Sequence, residues 1–232
     1  DRPCFTFVKA RAGVAGVLAM VEHSFVSCRI RGVLISLPGH FIPVLVVETY
    51  GLCLPINPGG VGTYGFEVRD GDRVLASGGG IACVGGGCNN VLAEYQSLIR
   101  ALEWLVGNGL KGGPLVVKTT NVLMAYQLEG VVRVTKPYEE SYRAASNLLG
   151  LFNPLIEVVD RVLIEHLALD AYVEYMDKHP EAVREYGDYL ASEEELARLR
   201  GLGFNPHRYL SKYEYEELVG EYEHATLGNT QG

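Results

Sequence analysis

The sequence predicts an α/β fold: a mixed five-stranded sheet flanked by helices, with an N-terminal extension and a helical C-terminal extension. Three observations carry this expectation. The run Ile42–Glu48 is continuous and apolar, as a central strand covered on both faces should be. Between Val91 and Val106, the residues Leu92, Tyr95, Leu98, Ile99, Leu102, Leu105 and Val106 recur at helical intervals and form one apolar face. After that helix, short apolar strands alternate with helical segments, the order that builds parallel pairing through crossovers.

The elements follow in order. Residues 1–40 form the N-terminal extension, with a β segment at Phe25–Leu37 rich in Val and Ile. In residues 41–170, Tyr64–Arg69 and Arg73–Ser77 read as a hairpin across the Asp70-Gly71-Asp72 turn, and a further strand is expected at Gly80–Val84. Asn89-Asn90 supplies the cap of the long helix and Asn108-Gly109 its stop. Leu115–Lys118 is the next strand, Asn121–Leu128 and Tyr138–Leu149 are helices, and Leu155–Val159 is the last strand. From Leu163 the pattern is helical and acidic. Pro180 and Pro206 divide it into a helix to Lys178, one near Ala182–Arg200 and one near Lys212–Tyr222, with residues 171–232 as the acidic extension.

The 232 residues are 48% hydrophobic and 21% charged, enough for one good-sized domain with appendages. No apolar run is long enough to predict a membrane span. The net charge of −8 argues at first against a nucleic-acid partner, but it is unevenly spread. Residues 1–41 hold five basic and two acidic side chains, residues 42–165 nine and twelve, and residues 166–232 six and fourteen. The acidity therefore belongs to the C-terminal segment. The five cysteines form no C-x-x-C pair, and no histidine lies near Cys83 or Cys88, so thiols in a reducing cytoplasm are expected rather than a zinc site. Lys9 and Arg11 precede the apolar Ala12–Val21, but two glycines and the following Glu22-His23 argue against a secretion signal. The glycine clusters Gly78–Gly80 and Gly85–Gly87 lack the Lys-Ser/Thr ending of a phosphate loop and suit a bulged hairpin connection better.

Taken together, several segments resemble the type 1 ribonuclease H family of the archaeal sort. Tyr50-Gly51 followed by Asn57-Pro58-Gly59-Gly60 is similar to the family's opening, where an Asp-Gly pair precedes Asn-Pro-Gly-Gly. Asn89-Asn90-Val91-Leu92-Ala93-Glu94-Tyr95 resembles the second motif, with one extra residue before the glutamate. Leu115–Gln127 resembles the third, a strand ending in Asp-Ser before a helix that carries a Gln, and Lys136-Pro137 matches a basic linker. The resemblance spans roughly residues 42–170. It implies a ribonuclease H-like fold whose enzymes cleave the RNA strand of RNA–DNA hybrids with two Mg²⁺ ions, held by three Asp and one Glu.

The decisive atoms differ. Tyr50 and Thr120 stand where two of the Asp residues are expected, and the last Asp falls on Ala168, or on Asp170 with a longer loop. Glu94 is the retained carboxylate. Glu48 lies two residues before Tyr50 on the same strand face, but about 6.5 Å further back. What survives is the substrate-facing set implied by the resemblance: Asn57, Gly59, Gly60, Asn89, Asn90 and Gln127 toward a hybrid's minor groove, and Arg133 and Lys136 toward phosphates. The leading expectation is a catalytically degenerate, cytoplasmic pseudoenzyme that binds RNA, an RNA–DNA hybrid or an RNA-containing assembly such as the ribosome, with no metal or other cofactor. One alternative is a divergent ribonuclease H that uses Mg²⁺ with Glu94 and Asp170 as catalytic residues. The other is a protein-interaction module with a vestigial cleft. The sequence leaves the oligomeric state open.

Overall fold

The computed structural model describes residues 26–30, 33–37 and 44–228. The chain divides into two compact units, residues 1–43 and 44–232. In the first, strands β1 (Val26–Ile30) and β2 (Val33–Leu37) pair antiparallel, with Val26 opposite Leu37 and Ile30 opposite Val33. The expected β segment is thus a two-stranded ribbon. The stretch Lys9–Val21, Cys4 and the side chain of Cys28 lie outside the described residues.

The second unit carries the five-stranded sheet, in the order β5-β4-β3-β6-β7. Central β3 (Leu45–Leu54) pairs antiparallel with β4 (Val61–Asp70), which pairs antiparallel with β5 (Arg73–Val84). On its other side β3 pairs parallel with β6 (Pro114–Thr119), and β6 with β7 (Asn153–Val158). Short turns suffice for the antiparallel half. The parallel half needs crossovers, supplied by α1 (Asn90–Gly107), α2 (Val122–Leu128) and α3 (Glu139–Leu149).

Several strand boundaries differ from expectation, two of them markedly. β3 continues through Tyr50-Gly51 to Leu54, because β4 pairs with it along its whole length, from Leu45–Asp70 to Leu54–Val61. Arg73–Ser77 and Gly80–Val84 form one strand instead of two: Gly78, Gly79 and Gly80 stay in register with Phe66, Gly65 and Tyr64. The glycines serve packing there. A Cβ on Gly78 would lie 3.0 Å from the Phe66 ring, and one on Gly79 would lie 2.5 Å from the Leu167 carbonyl oxygen.

Alternation along β3 sends Leu45, Val47 and Thr49 to one face and Val46, Glu48 and Tyr50 to the other. On the first face α1 lays down Leu98, Leu102 and Leu105, all fully buried, against Val47, Val68, Leu115 and Val117. Asn89 caps α1 by accepting the Leu92 N–H at 3.0 Å. The opposite face receives α4 (Glu165–Lys178), whose Tyr172 and Met176 pack with Leu54 and Val61. Because α4 runs through residue 170, the C-terminal extension shares its first helix with the α/β part.

Beyond it lie α5 (Pro180–Glu185), α6 (Glu193–Gly201) and α7 (Lys212–Gly228). The expected single helix Ala182–Arg200 is two. A 3₁₀ turn at Gly187–Tyr189 breaks it, and Ser192 with Glu195 forms a capping box that starts α6 afresh. On α7, Tyr215 is buried whereas Tyr213 is 72% exposed. Among the described residues no helix is long and apolar enough to cross a membrane.

Cys83 and Cys88 are joined in a disulfide, a correction to the expectation of thiols. Gly85 and Gly87, at φ of 76° and 88°, turn the loop back on itself and bring the two Cα atoms to 5.5 Å. Spacing alone did not reveal that reversal. Cys53 is a buried thiol, and burial raises its pKa.

Candidate nucleic-acid interface

Parallel pairing of β3 with β6 sets Thr49 beside Thr119, with Tyr50 next along β3 and Thr120 just past the end of β6. Successive side chains alternate, which splits the neighbourhood into two layers. On the α1 side, the Thr49 and Thr119 hydroxyls donate to one oxygen of Glu94, at 2.7 and 2.6 Å. Glu94 is 1% exposed. Burial raises its pKa, opposed by hydrogen bonds from Thr119, Thr49 and the Gly51 backbone. The helix comes this close because residue 51 is glycine: a Cβ there would lie 2.2 Å from the Glu94 nitrogen and 2.6 Å from the Asn90 carbonyl oxygen. Glu94 therefore ties α1 to two strands from beneath the sheet, on the face opposite Tyr50.

On the α4 side, the Tyr50 hydroxyl has its pKa pushed up to about 12, chiefly by burial and then by the negative charge of Glu165. Glu165 opens α4, with Arg161 Nε 3.9 Å from its carboxylate. Neither residue proposed from sequence for the last carboxylate occupies this place. Ala168 is fully buried, and its carbonyl accepts the Thr63 hydroxyl at 2.8 Å. Asp170 is exposed, five residues on and so about 140° around the helix from Glu165. Glu165 was missed because a helix start cannot be counted across a loop of unknown length. Glu48 shares Tyr50's face and lies opposite Glu67 and Lys118, and one of its carboxylate oxygens is buried without a hydrogen-bond partner.

A pair of Mg²⁺ ions needs several carboxylates converging on a shared space. Two of the four positions hold Tyr50 and Thr120, and Glu94 is engaged by two hydroxyls on the far face. Among the described residues no group of three or more His, Cys, Asp or Glu side chains is placed to hold a metal ion. The donor set does not fit a two-ion centre.

The substrate-facing set is brought together in part. The Asn57 side chain accepts the Asn90 N–H at 3.3 Å, and the Gly59 N–H donates to the Cys88 carbonyl at 2.8 Å. The Asn57–Gly60 turn and the Asn89-Asn90 helix start thus form one rim beside Tyr50-Gly51. Gly60 permits the turn, since a Cβ there would lie 2.4 Å from the Leu54 carbonyl oxygen. Gln127 is elsewhere: it is 2% exposed and accepts the Tyr95 hydroxyl at 2.9 Å inside the core. Arg133 and Lys136 are exposed on the linker after α2. Sequence reasoning also passed over Tyr186, 4% exposed, whose hydroxyl donates to the Gly59 carbonyl at 3.1 Å.

The sequence matches no family profile. Among solved structures, the N-terminal RNase H domain of Rv2228c from Mycobacterium tuberculosis, solved as a fusion with maltose-binding protein, is 27% identical. It covers 61% of this chain and 99% of that one, with a TM-score of 0.49. RNase H1 from the halophilic archaeon Halobacterium salinarum NRC-1 is 25% identical over 56% of this chain and 98% of that one, at a TM-score of 0.48. LC11-RNase H1, solved in complex with an RNA/DNA hybrid, is 21% identical over 57% and 99%, at a TM-score of 0.50. The mixed five-stranded sheet with its helices is the ribonuclease H fold.

Proposed function

We propose that this protein binds RNA, an RNA–DNA hybrid or an RNA-containing assembly such as a ribosome through a ribonuclease H-type cleft, without two-metal cleavage. One observation carries the reading: the rim of Asn57, Gly59, Gly60, Asn89 and Asn90 is assembled beside strand ends where Tyr50 and Thr120 replace carboxylates. Amide side chains and turn backbone suit 2′-hydroxyls and sugar edges, and replacing two negative charges removes repulsion toward phosphates. Arg133 and Lys136 supply exposed cations on the linker beyond α2. A fold shared with a protein solved on an RNA/DNA hybrid makes a hybrid the first ligand to test.

The experiment is fluorescence anisotropy with a labelled hybrid, double-stranded RNA and duplex DNA at about 50 to 200 mM salt. Tighter binding of the RNA-containing duplexes, weakening as salt rises, is expected. No shift of any of them at micromolar protein and low salt overturns the reading in favour of a protein-interaction module. The divergent nuclease draws support from Glu165 and Glu48, two carboxylates on Tyr50's side. It requires Mg²⁺- or Mn²⁺-dependent cleavage of the hybrid, assayed in parallel, and no cleavage over hours is expected.

A further inference from the structure

The last two helices have a small core of their own, in which Leu196, Leu199, Leu210 and Tyr215 are buried together. Beside apolar contacts of Leu190 and Tyr209, a set of polar contacts joins this hairpin to the body. Asp177, in the last turn of α4, accepts the Arg208 guanidinium and, at 2.7 Å, the Tyr209 hydroxyl. Tyr172 donates to the Tyr209 carbonyl at 3.2 Å, and Lys212 to the Asp188 carbonyl at 2.7 Å. His207 meets the Tyr172 ring edge-on at 6.0 Å, with both ring nitrogens buried and without a hydrogen-bond partner. A junction that buries an unsatisfied imidazole and relies on one half-exposed ion pair is held weakly.

Its position matters for the cleft. Tyr209 and Leu190 pack against the cluster of Leu54, Val61, Tyr172 and Tyr186, which Leu52 also joins. Leu52 and Leu54 share Tyr50's face of β3, so the hairpin is attached just beyond Tyr50. Tyr186, at its root, already holds the Gly59 carbonyl of the rim. Glu214, in the first turn of α7, adds negative charge that acts on Tyr50. Residues 193–228, which form the hairpin, hold eight acidic side chains against four basic ones, the wrong sign for a neighbour of phosphates.

We propose that the α6–α7 hairpin is a latched acidic lid that restricts access of a nucleic-acid backbone to the cleft, with Asp177 gripping Arg208 and Tyr209 as its catch. The inference rests on the nucleic-acid reading above. Closed, the lid sets carboxylates near the path of the phosphates; opened, it withdraws them. Ligand binding and lid opening therefore favour each other by linkage.

The test uses the full chain with Asp177→Ala and, separately, Arg208→Ala. A negative charge in the last turn of α4 opposes the helix dipole, so alanine at 177 leaves that helix no weaker. Amide hydrogen exchange reports the lid, and anisotropy with the RNA–DNA hybrid reports the cleft. Both variants should speed exchange across α6 and α7 by about tenfold while β3 and α1 stay protected, and should tighten hybrid binding several-fold. Unchanged exchange in both variants overturns the catch. Faster exchange with unchanged affinity overturns the gating and leaves the nucleic-acid reading intact. Faster exchange with no hybrid binding by any variant overturns the nucleic-acid reading and the gating that depends on it.

Discussion

Replacing Glu94 by Gln and by Ala separates a buried structural acceptor from a carboxylate held ready for a cation. Burial raises the Glu94 pKa above its ordinary value of 4.5, so the folded protein binds that proton more tightly than the unfolded chain does. The stability linked to this group is therefore complete below the unfolded pKa and is lost as pH rises through the raised folded pKa. Glutamine keeps the shape and an oxygen for the Thr49 and Thr119 hydroxyls, but carries no charge. The variant should be more stable than the parent near pH 8, by about 1.4 kcal/mol for each unit of the raise. The two curves should converge toward about pH 4.5, where the parent carboxyl is itself neutral. Alanine leaves the Thr119 hydroxyl without its acceptor, whereas Thr49 retains the Lys118 carbonyl at 3.3 Å. One orphaned hydroxyl costs about 1–3 kcal/mol and the one buried methylene removed about 0.8 kcal/mol, so Glu94→Ala should lose roughly 2–4 kcal/mol near pH 5. Urea unfolding followed by circular dichroism across this pH range measures all three proteins. A glutamine variant less stable than the parent near pH 8 by more than about 1 kcal/mol, or a gap that widens as pH falls, would refute the reasoning.

Gly51→Ala must push α1 off the sheet, because the clashing atoms are all backbone, and should cost about 3 kcal/mol by chemical denaturation. Tyr50, with its pKa near 12, should stay protonated through about pH 10.5; an ultraviolet difference titration of the parent against Tyr50→Phe should show no missing tyrosinate below that point. Arg133→Glu combined with Lys136→Glu should weaken hybrid binding across sequences and flatten the dependence of log K on log salt by about two contacts. An unchanged slope there means that the linker touches no phosphate. Tyr186→Phe removes the hydrogen bond to the Gly59 carbonyl and should lose about 1 kcal/mol of stability, read from the denaturation midpoint.

Local patterning carried much of the fold. The apolar spacing of Leu98, Leu102 and Leu105 and the Asn89 cap marked α1 almost to the residue, because both signals are confined to one or two turns. The glycines misled. Gly78–Gly80 read as a break, yet they continue β5, since what they accommodate is a ring from β4 and a carbonyl from α4, both distant in sequence. The same limit applied at the site. Tyr50 and Thr120, at positions where the resemblance expects carboxylates, were legible by counting along strands, where the spacing is rigid. The loop before α4 has no such rule, and Glu165 went unnoticed while Ala168 and Asp170 were weighed.

Gln127 and Glu94 show what sequence cannot supply. Each stands in a segment that resembles a substrate- or metal-facing motif, and each is buried, one under Tyr95 and the other beneath two threonines. Identity at a motif position says which atoms are present; the direction in which they point depends on how deeply the helix seats, which Gly51 controls from a strand more than forty residues away. By itself the sequence determined the strand and helix periodicities, the presence of Tyr50 and Thr120 where the resemblance expects carboxylates and the concentration of acidity after residue 165, all properties of neighbours along the chain. Tertiary structure decided that the charge of Glu165 acts on Tyr50, that Cys83 reaches Cys88, and that Tyr209 and Leu190 pack against the cluster of Leu54 and Tyr172. Those are pairings of distant residues, set by strand register and glycine-permitted close packing, which no local pattern encodes.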